Sequence, residues 1–240
     1  EVSYLMKHDK FTIVDEAEAW DKTGKGPTSV KWVDTQKGTE KDPDIRSRLV
    51  ARDFKPKGEK DREDLFAAMP PLEAKRILFS RAVTRVRMKI KRQGPKKLLF
   101  IDVKKAHLNP VCEQDAYIEL PEEVGAPKGT YGRLNYWLYG FRPAGRAWEE
   151  DYAKRLEGVG LRRGTAAPTI FNDEERGLQC VAHGDDFTFL GYDEDLDFIQ
   201  VEMEKWYEIK VRGRLGPDAQ DDKQIVILGR TVTWTKEGIE

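Results

Sequence analysis

Only two cysteines, Cys112 and Cys180, and three histidines occur in the 240 residues. Two thiols cannot build a disulfide framework, and their setting predicts reduced, inert side chains. His8, His107 and His183 show no zinc-ligand spacing with either cysteine. No apolar run approaches the roughly 20 residues of a membrane span, so no membrane partner is expected. The first residues, Glu1 to Lys7, lack the apolar centre of a signal peptide and an initiator Met. The chain is therefore expected to be a piece of something longer. No repeat or low-complexity tract is visible. Neither sign of charge dominates, since the net charge is -1, which argues against a simple nucleic-acid-coating protein.

What is present is a mixture that can fold: 35% charged and 39% hydrophobic residues. The length suits one large domain or two intimate subdomains. Charge is unevenly spread. Residues 85–97 carry Arg85, Arg87, Lys89, Lys91, Arg92, Lys96 and Lys97 with no acid. Residues 46–60 add Arg46, Arg48, Arg52, Lys55, Lys57 and Lys60 against Asp53 and Glu59, whereas the stretch from Asp185 to Asp197 is acidic. A basic first half beside an acidic focus suits a protein that holds a polyanion and a metal together. Solvated charge on helix faces is the plainer alternative.

The periodicity predicts a helix and then a strand up to about Trp20, a loop over 21–27, a strand over 29–34 and a turn over 36–43. The glycines and lysines of the 21–27 loop lack the spacing of a phosphate loop. A strand over 45–54 alternates: Arg46, Arg48 and Arg52 share one face, and Ile45, Leu49 and Ala51 favour the other. Such an arginine face can grip phosphates bidentately, or can be an ordinary solvent face. Pro70-Pro71 is expected to start a helix running to about Lys91, with Leu72, Arg76, Phe79, Val83 and Val86 in register. Strands follow over 98–103, 116–120 and 131–138, then a turn over 139–145. The next helix presents Trp148, Tyr152, Leu156 and Val159 on one face. Short strands over 169–171 and 179–182 precede a returning arm over 187–190. An amphipathic helix over 195–210 carries Leu196, Ile199, Met203 and Trp206, and a final strand covers about 224–234.

Two acidic sites end apolar runs. Asp102 closes Leu98-Leu99-Phe100-Ile101, and Asp185-Asp186 follows Cys180-Val181-Ala182-His183-Gly184 at or beside a hairpin bend. Aspartate is ordinary at bends, but adjacent carboxylates near buried strands are costly unless a cation neutralises them. Three hard oxygen ligands suit Mg²⁺ and two-metal phosphoryl or nucleotidyl transfer.

Taken in order, the motifs resemble the reverse transcriptase region of copia-type LTR retrotransposon polyproteins over nearly the full length. Lys31-Trp32-Val33 is similar to that family's KWV, and residues 46–54 to its KARLVAKGF. Residues 102–109 resemble DVKTAFLNG, residues 116–121 VYMEQP, and residues 138–148 LYGLKQAPRAW. His183-Gly184-Asp185-Asp186 stands where the family has YVDD, and Ile227-Leu228-Gly229 resembles FLG.

The resemblance implies an α+β right-hand polymerase: fingers mainly over 1–97, palm with an antiparallel sheet mainly over 98–240, and a thumb that is short or missing. It implies RNA-directed DNA polymerase activity, with Asp102, Asp185 and Asp186 as catalytic residues binding two Mg²⁺ ions, Mn²⁺ being the alternative. Arg46 and Arg48 would contact the incoming triphosphate or template, and His107 would pack under the sugar. Arg142 and His183 would contact template or primer. Implied partners are a primed RNA or DNA template, dNTP, and the RNase H and integrase regions of a polyprotein. The implied location is cytoplasmic, in a virus-like particle, with the nucleus as the alternative. The chain departs from the family at His107 for Phe, Pro143 for Gln, Gly145 for Pro and His183-Gly184 for Tyr-Val. The competing expectation is a catalytically impaired or co-opted remnant that keeps the fold and nucleic-acid binding.

Overall fold

The computed structural model describes residues 1–39, 42–60, 62–84 and 94–240. In chain order the elements are α1 (Val2–Lys7), β1 (Phe11–Asp15), α2 (Glu16–Thr23), β2 (Val30–Gln36), β3 (Ile45–Ala51) and α3 (Leu72–Val83). Next come β4 (Lys97–Val103), β5 (Tyr117–Ile118), β6 (Thr130–Leu134), α4 (Ala144–Gly158), β7 (Arg162–Arg163) and β8 (Ile170–Asp173). The last are β9 (Leu178–His183), β10 (Asp186–Gly191), α5 (Asp193–Trp206), β11 (Ile209–Leu215), β12 (Gln224–Ile227) and β13 (Arg230–Thr233). The fold is mixed α and β, and the strands pair antiparallel. Among the described residues no helix is long and apolar enough to cross a membrane.

Contacts divide the chain into two units, residues 1–67 with 107–148, and residues 68–106 with 149–240. In the first, β1, β6 and β5 form one sheet and β2 with β3 form a hairpin. The alternation of β3 explains its place. Leu49 and Ala51 are buried in a core with Leu5, Leu108, Ile118 and Trp137, while Arg46 and Arg48 project from the other face.

The second unit is built on a six-stranded sheet in the order β11-β4-β10-β9-β8-β7. β4, β9 and β10 are buried almost throughout, which is why they read as unbroken apolar runs rather than alternating ones. One face carries α3, whose Ala74, Leu78 and Ala82 pack with Leu98, Phe100, Val181 and Leu190. On the other, the ring of Tyr152 from α4 meets Phe187 edge-on at 5.2 Å.

Several sequence expectations are corrected. The division does not fall at 97/98: α3 packs on the sheet of the second unit, and residues 107–148 cluster with the N-terminal residues. The α3 face is only partly the expected one. Phe79 packs against the sheet core, but Leu72 and Val83 are exposed, and Ala74, Leu78 and Ala82 make up the rest of the buried face. Thr84 is extended after α3; the expected continuation to Lys91, with Val86 and the basic residues Arg85 to Arg92, lies outside the described residues. A second helix, α2, follows β1 because the Asp15 side chain accepts from the Ala17 N–H at 2.9 Å and caps it. α5 stops at Trp206, and residues 209–215 form a strand rather than its last turn. The single strand expected over 224–234 is a hairpin, turned by Leu228 and Gly229 at positive φ.

Candidate active site

β4 and β10 run antiparallel in a register that sets Asp186 directly opposite Asp102. Side chains so paired share one face, with Cβ atoms about 5 Å apart; here it is the face that carries α3. Asp185 sits in the bend. Its carbonyl accepts from the Val103 N–H at 2.8 Å, so the β4 ladder continues into the turn. The two-residue connection between His183 and Asp186 has Gly184 at φ +65. Positive φ at the first central residue suits glycine and closes the hairpin in register with strand twist. The sequence had placed the doublet at or beside a bend; the structure puts Asp185 in it and Asp186 on the strand.

Electrostatics mark these carboxylates as a crowded group. Burial raises the Asp186 carboxyl above its ordinary value, and Asp185 and Asp102 push it further up, while Lys75 and Arg212 oppose them. Lys75 comes from α3; burial lowers its ammonium, and Asp186 pulls the other way. The His183 imidazole is lowered by burial and by Lys75, against the two neighbouring aspartates.

Arg212 is the residue the sequence missed. β11 lies on the other side of β4, pairing Lys210 with Asp102, and a bulge between Val211 and Gly213 leaves Arg212 as the extra residue. Its Nη2 donates to Asp102 Oδ2 at 2.5 Å. The alternating Ile209-Lys210-Val211-Arg212 followed by Gly213 was the available signal, but the helical pattern of α5 ran over it.

The remaining candidates belong to the first unit. Arg46 and Arg48 stand opposite Thr35 and Val33 across the hairpin. Arg46 faces Asp44 at 3.6 Å, an exposed pair. The Arg48 guanidinium lies 5.8 Å from the Tyr139 ring centroid, and the His107 ring lies 5.7 Å from the same ring, so Tyr139 brings these two together. Arg142 is held in place: its N–H donates to Asp53 at 3.0 Å and its guanidinium to Glu59 at 2.8 Å.

The model of the family described as reverse transcriptase (RNA-dependent DNA polymerase) matches residues 10–216. The chain belongs to the reverse transcriptase family. It is 25% identical over 242 residues to the retrovirus-related Pol polyprotein from transposon TNT 1-94 of Nicotiana tabacum, covering 96% of this chain and 17% of that relative. The chain thus spans about a sixth of the polyprotein that it matches. A foamy viral protease-reverse transcriptase in complex with ds DNA aligns with a TM-score of 0.47 at 12% identity, over 98% of this chain and 32% of that one. The native prototype foamy virus protease-reverse transcriptase aligns at 0.47 and 14%, over 93% and 24%.

Reverse transcriptases generally use divalent metals. Asp102, Asp185 and Asp186 offer hard oxygen donors, and their mutual repulsion is of the kind a divalent cation relieves. Charge and donor type fit the ion. Among the described residues, no three His, Cys, Asp or Glu side chains are gathered as ready metal ligands, and Asp102 is engaged by Arg212.

Proposed function

We propose that this chain is the polymerising segment of a retrotransposon Pol polyprotein, adding nucleotides from dNTP to a primer 3′-hydroxyl on an RNA template. The observation that carries the reading is the register of Asp102 opposite Asp186, with Asp185 in the adjoining turn. These three carboxylates would hold the divalent ions, Mg²⁺ or Mn²⁺. Bound there, the ions would make the 3′-hydroxyl a better nucleophile and neutralise the leaving pyrophosphate.

The chain's own residues do the positioning. Arg46 and Arg48, on the exposed face of the β2–β3 hairpin, offer charge to nucleotide or template phosphates. His107, with Tyr139 behind it, is the candidate for packing under the sugar. His183, paired with Asp186 across the hairpin, supports the primer end with a smaller ring than tyrosine. Arg142, whose turn is tied to Asp53 and Glu59, would contact template or primer. The fingers and palm names attach to the first and second units in this reading, and RNase H, integrase and a virus-like particle in the cytoplasm would come from the rest of a polyprotein.

A second reading, a remnant that binds nucleic acid without turnover, is favoured by the Arg212 grip on Asp102. Primer extension separates the two. The polypeptide carrying this segment, with Mg²⁺, primed RNA and dNTPs, should extend the primer, and Asp185→Asn should abolish extension. Equal inertness of both, with template binding retained, would establish the remnant.

A further inference from the structure

We propose that Arg212 is the resident counter-cation of Asp102, and that a divalent cation takes this carboxylate as a ligand only by displacing it. The inference rests on the polymerase reading of Asp102, Asp185 and Asp186.

Arg212 reaches Asp102 because β11 is bulged at this point. In the regular ladder Lys210 is the residue opposite Asp102; the extra residue re-aims Arg212 across the strand. The bulge is anchored from behind. Gly213 has φ +155, and a Cβ there would stand 2.5 Å from Asp222 Oδ2 and 2.9 Å from Ile225 Cδ1, so no other residue fits without a shift. The following N–H, of Arg214, donates to Asp222 Oδ2 at 2.9 Å. The Arg214 guanidinium is held in turn by Asp193 at 3.0 Å and Asp197 at 2.5 Å. The backbone carrying Arg212 is therefore fixed, while its side chain is not enclosed: Arg212 is 41% exposed against 20% for Asp102. The guanidinium can swing into water; the carboxylate, on a central strand, cannot follow it. Lys75 on α3 gives Asp186 a second cationic neighbour. Among the described residues, Arg212 and Lys75 thus set cationic charge against these carboxylates, and an incoming ion competes with it instead of meeting bare charge.

The consequence is an affinity for divalent cations set partly by Arg212. A charge-assisted hydrogen bond that is partly exposed, and so partly screened, should shift that affinity by about tenfold. The test is calorimetric titration of the full chain with Mn²⁺, alongside its melting temperature with and without the ion. Arg212→Met should bind Mn²⁺ about tenfold more tightly than wild type, melt lower without it and gain more from its addition. Arg212→Lys, which keeps the charge but loses the fork, should lie between and covers the case in which Arg212→Met fails to fold. Wild type that binds Mn²⁺, loses binding in Asp185→Asn and keeps the same or a tighter affinity than the Arg212 variants overturns the proposal alone. If neither wild type nor Arg212→Met binds Mn²⁺, the metal reading of the three aspartates fails and takes the proposal with it.

Discussion

Replacing Lys97 by methionine should be among the most damaging single changes in the second unit. Lys97 opens β4, is 1% exposed, and places Nζ 2.8 Å from Asp193, 2.7 Å from Asp218 and 2.9 Å from Asp221. One ammonium thus ties the strand that carries Asp102 to the start of α5 and to the loop after β11. Methionine keeps most of the volume and removes the charge, leaving Asp221, itself only 3% exposed on its side chain, without its cation. Breaking a buried ion pair costs about 3–5 kcal/mol. Because Asp193 and Asp218 can turn to water, the lower end applies, about 3 kcal/mol, or a fall of about 6–12 °C in melting temperature for a chain of this size.

The pH dependence identifies the cause. Burial pushes the Asp193 carboxyl up, but Lys97 and Arg214 together hold it below its ordinary value. A depressed carboxyl gives stability above its unfolded value, near 4, and loses it as the pH falls through the folded value. Burial alone would lower the Lys97 ammonium, yet its three aspartates raise it, so its own contribution is lost only in strong alkali. Wild type and Lys97→Met should therefore differ by a constant amount between about pH 6 and 9 and converge toward pH 3. Urea unfolding monitored by circular dichroism measures both quantities. A loss under about 1 kcal/mol, or a gap that does not close in acid, would refute the reasoning.

Other changes follow from the same geometry. Asp186→Asn should raise the melting temperature as the pH climbs above the ordinary carboxylate value, about 4, because the native state penalises the ionised form, and the gain should vanish below that pH. A thermal melt across pH that shows no gain would contradict the crowding of the three carboxylates. Gly184→Val should cost about 1–2 kcal/mol through its φ of +65, read as a lower urea midpoint; no change would mean that the turn is not strained. Glu149→Ala should destabilise by about 3 kcal/mol, since this 2% exposed side chain accepts from the Ala68 N–H at 2.5 Å and pairs with Arg163; a chemical melt would show it. In native thiol titration Cys112, half-buried, should react first and Cys180, fully buried with its thiol pushed well up, should stay silent until unfolding.

The sequence made the acidic ends of β4 and β10 legible because each closes an unbroken apolar run. The β3 alternation likewise foretold the buried Leu49 and Ala51. Other features left no such trace. The α3 face is only partly legible: Phe79 marks it, but Leu72 and Val83 point the apolar pattern to one side, whereas the buried stripe runs through Ala74, Leu78 and Ala82, two of them too small to stand out. β11 stayed hidden because Trp206 and Tyr207 extend the apolar spacing of α5 past the point where Tyr207 turns extended. With β11 unseen, Arg212 had no strand to stand on and no route to Asp102. Lys97 was counted in a basic run, and nothing local marks a lysine whose partners lie 96 or more positions along the chain.

In the proposed function, Asp102, Asp185 and Asp186 form one polymerase centre. Its most direct test is addition of a single nucleotide to a labelled primer on an RNA template by the polypeptide carrying this chain, with Mg²⁺ and with Mn²⁺. Wild type should extend the primer by one base, and Asp102→Asn, Asp185→Asn and Asp186→Asn should lose this extension while primer–template binding is retained. Extension that survives all three substitutions, or a wild type that binds primer–template yet adds no base with either ion, would contradict it.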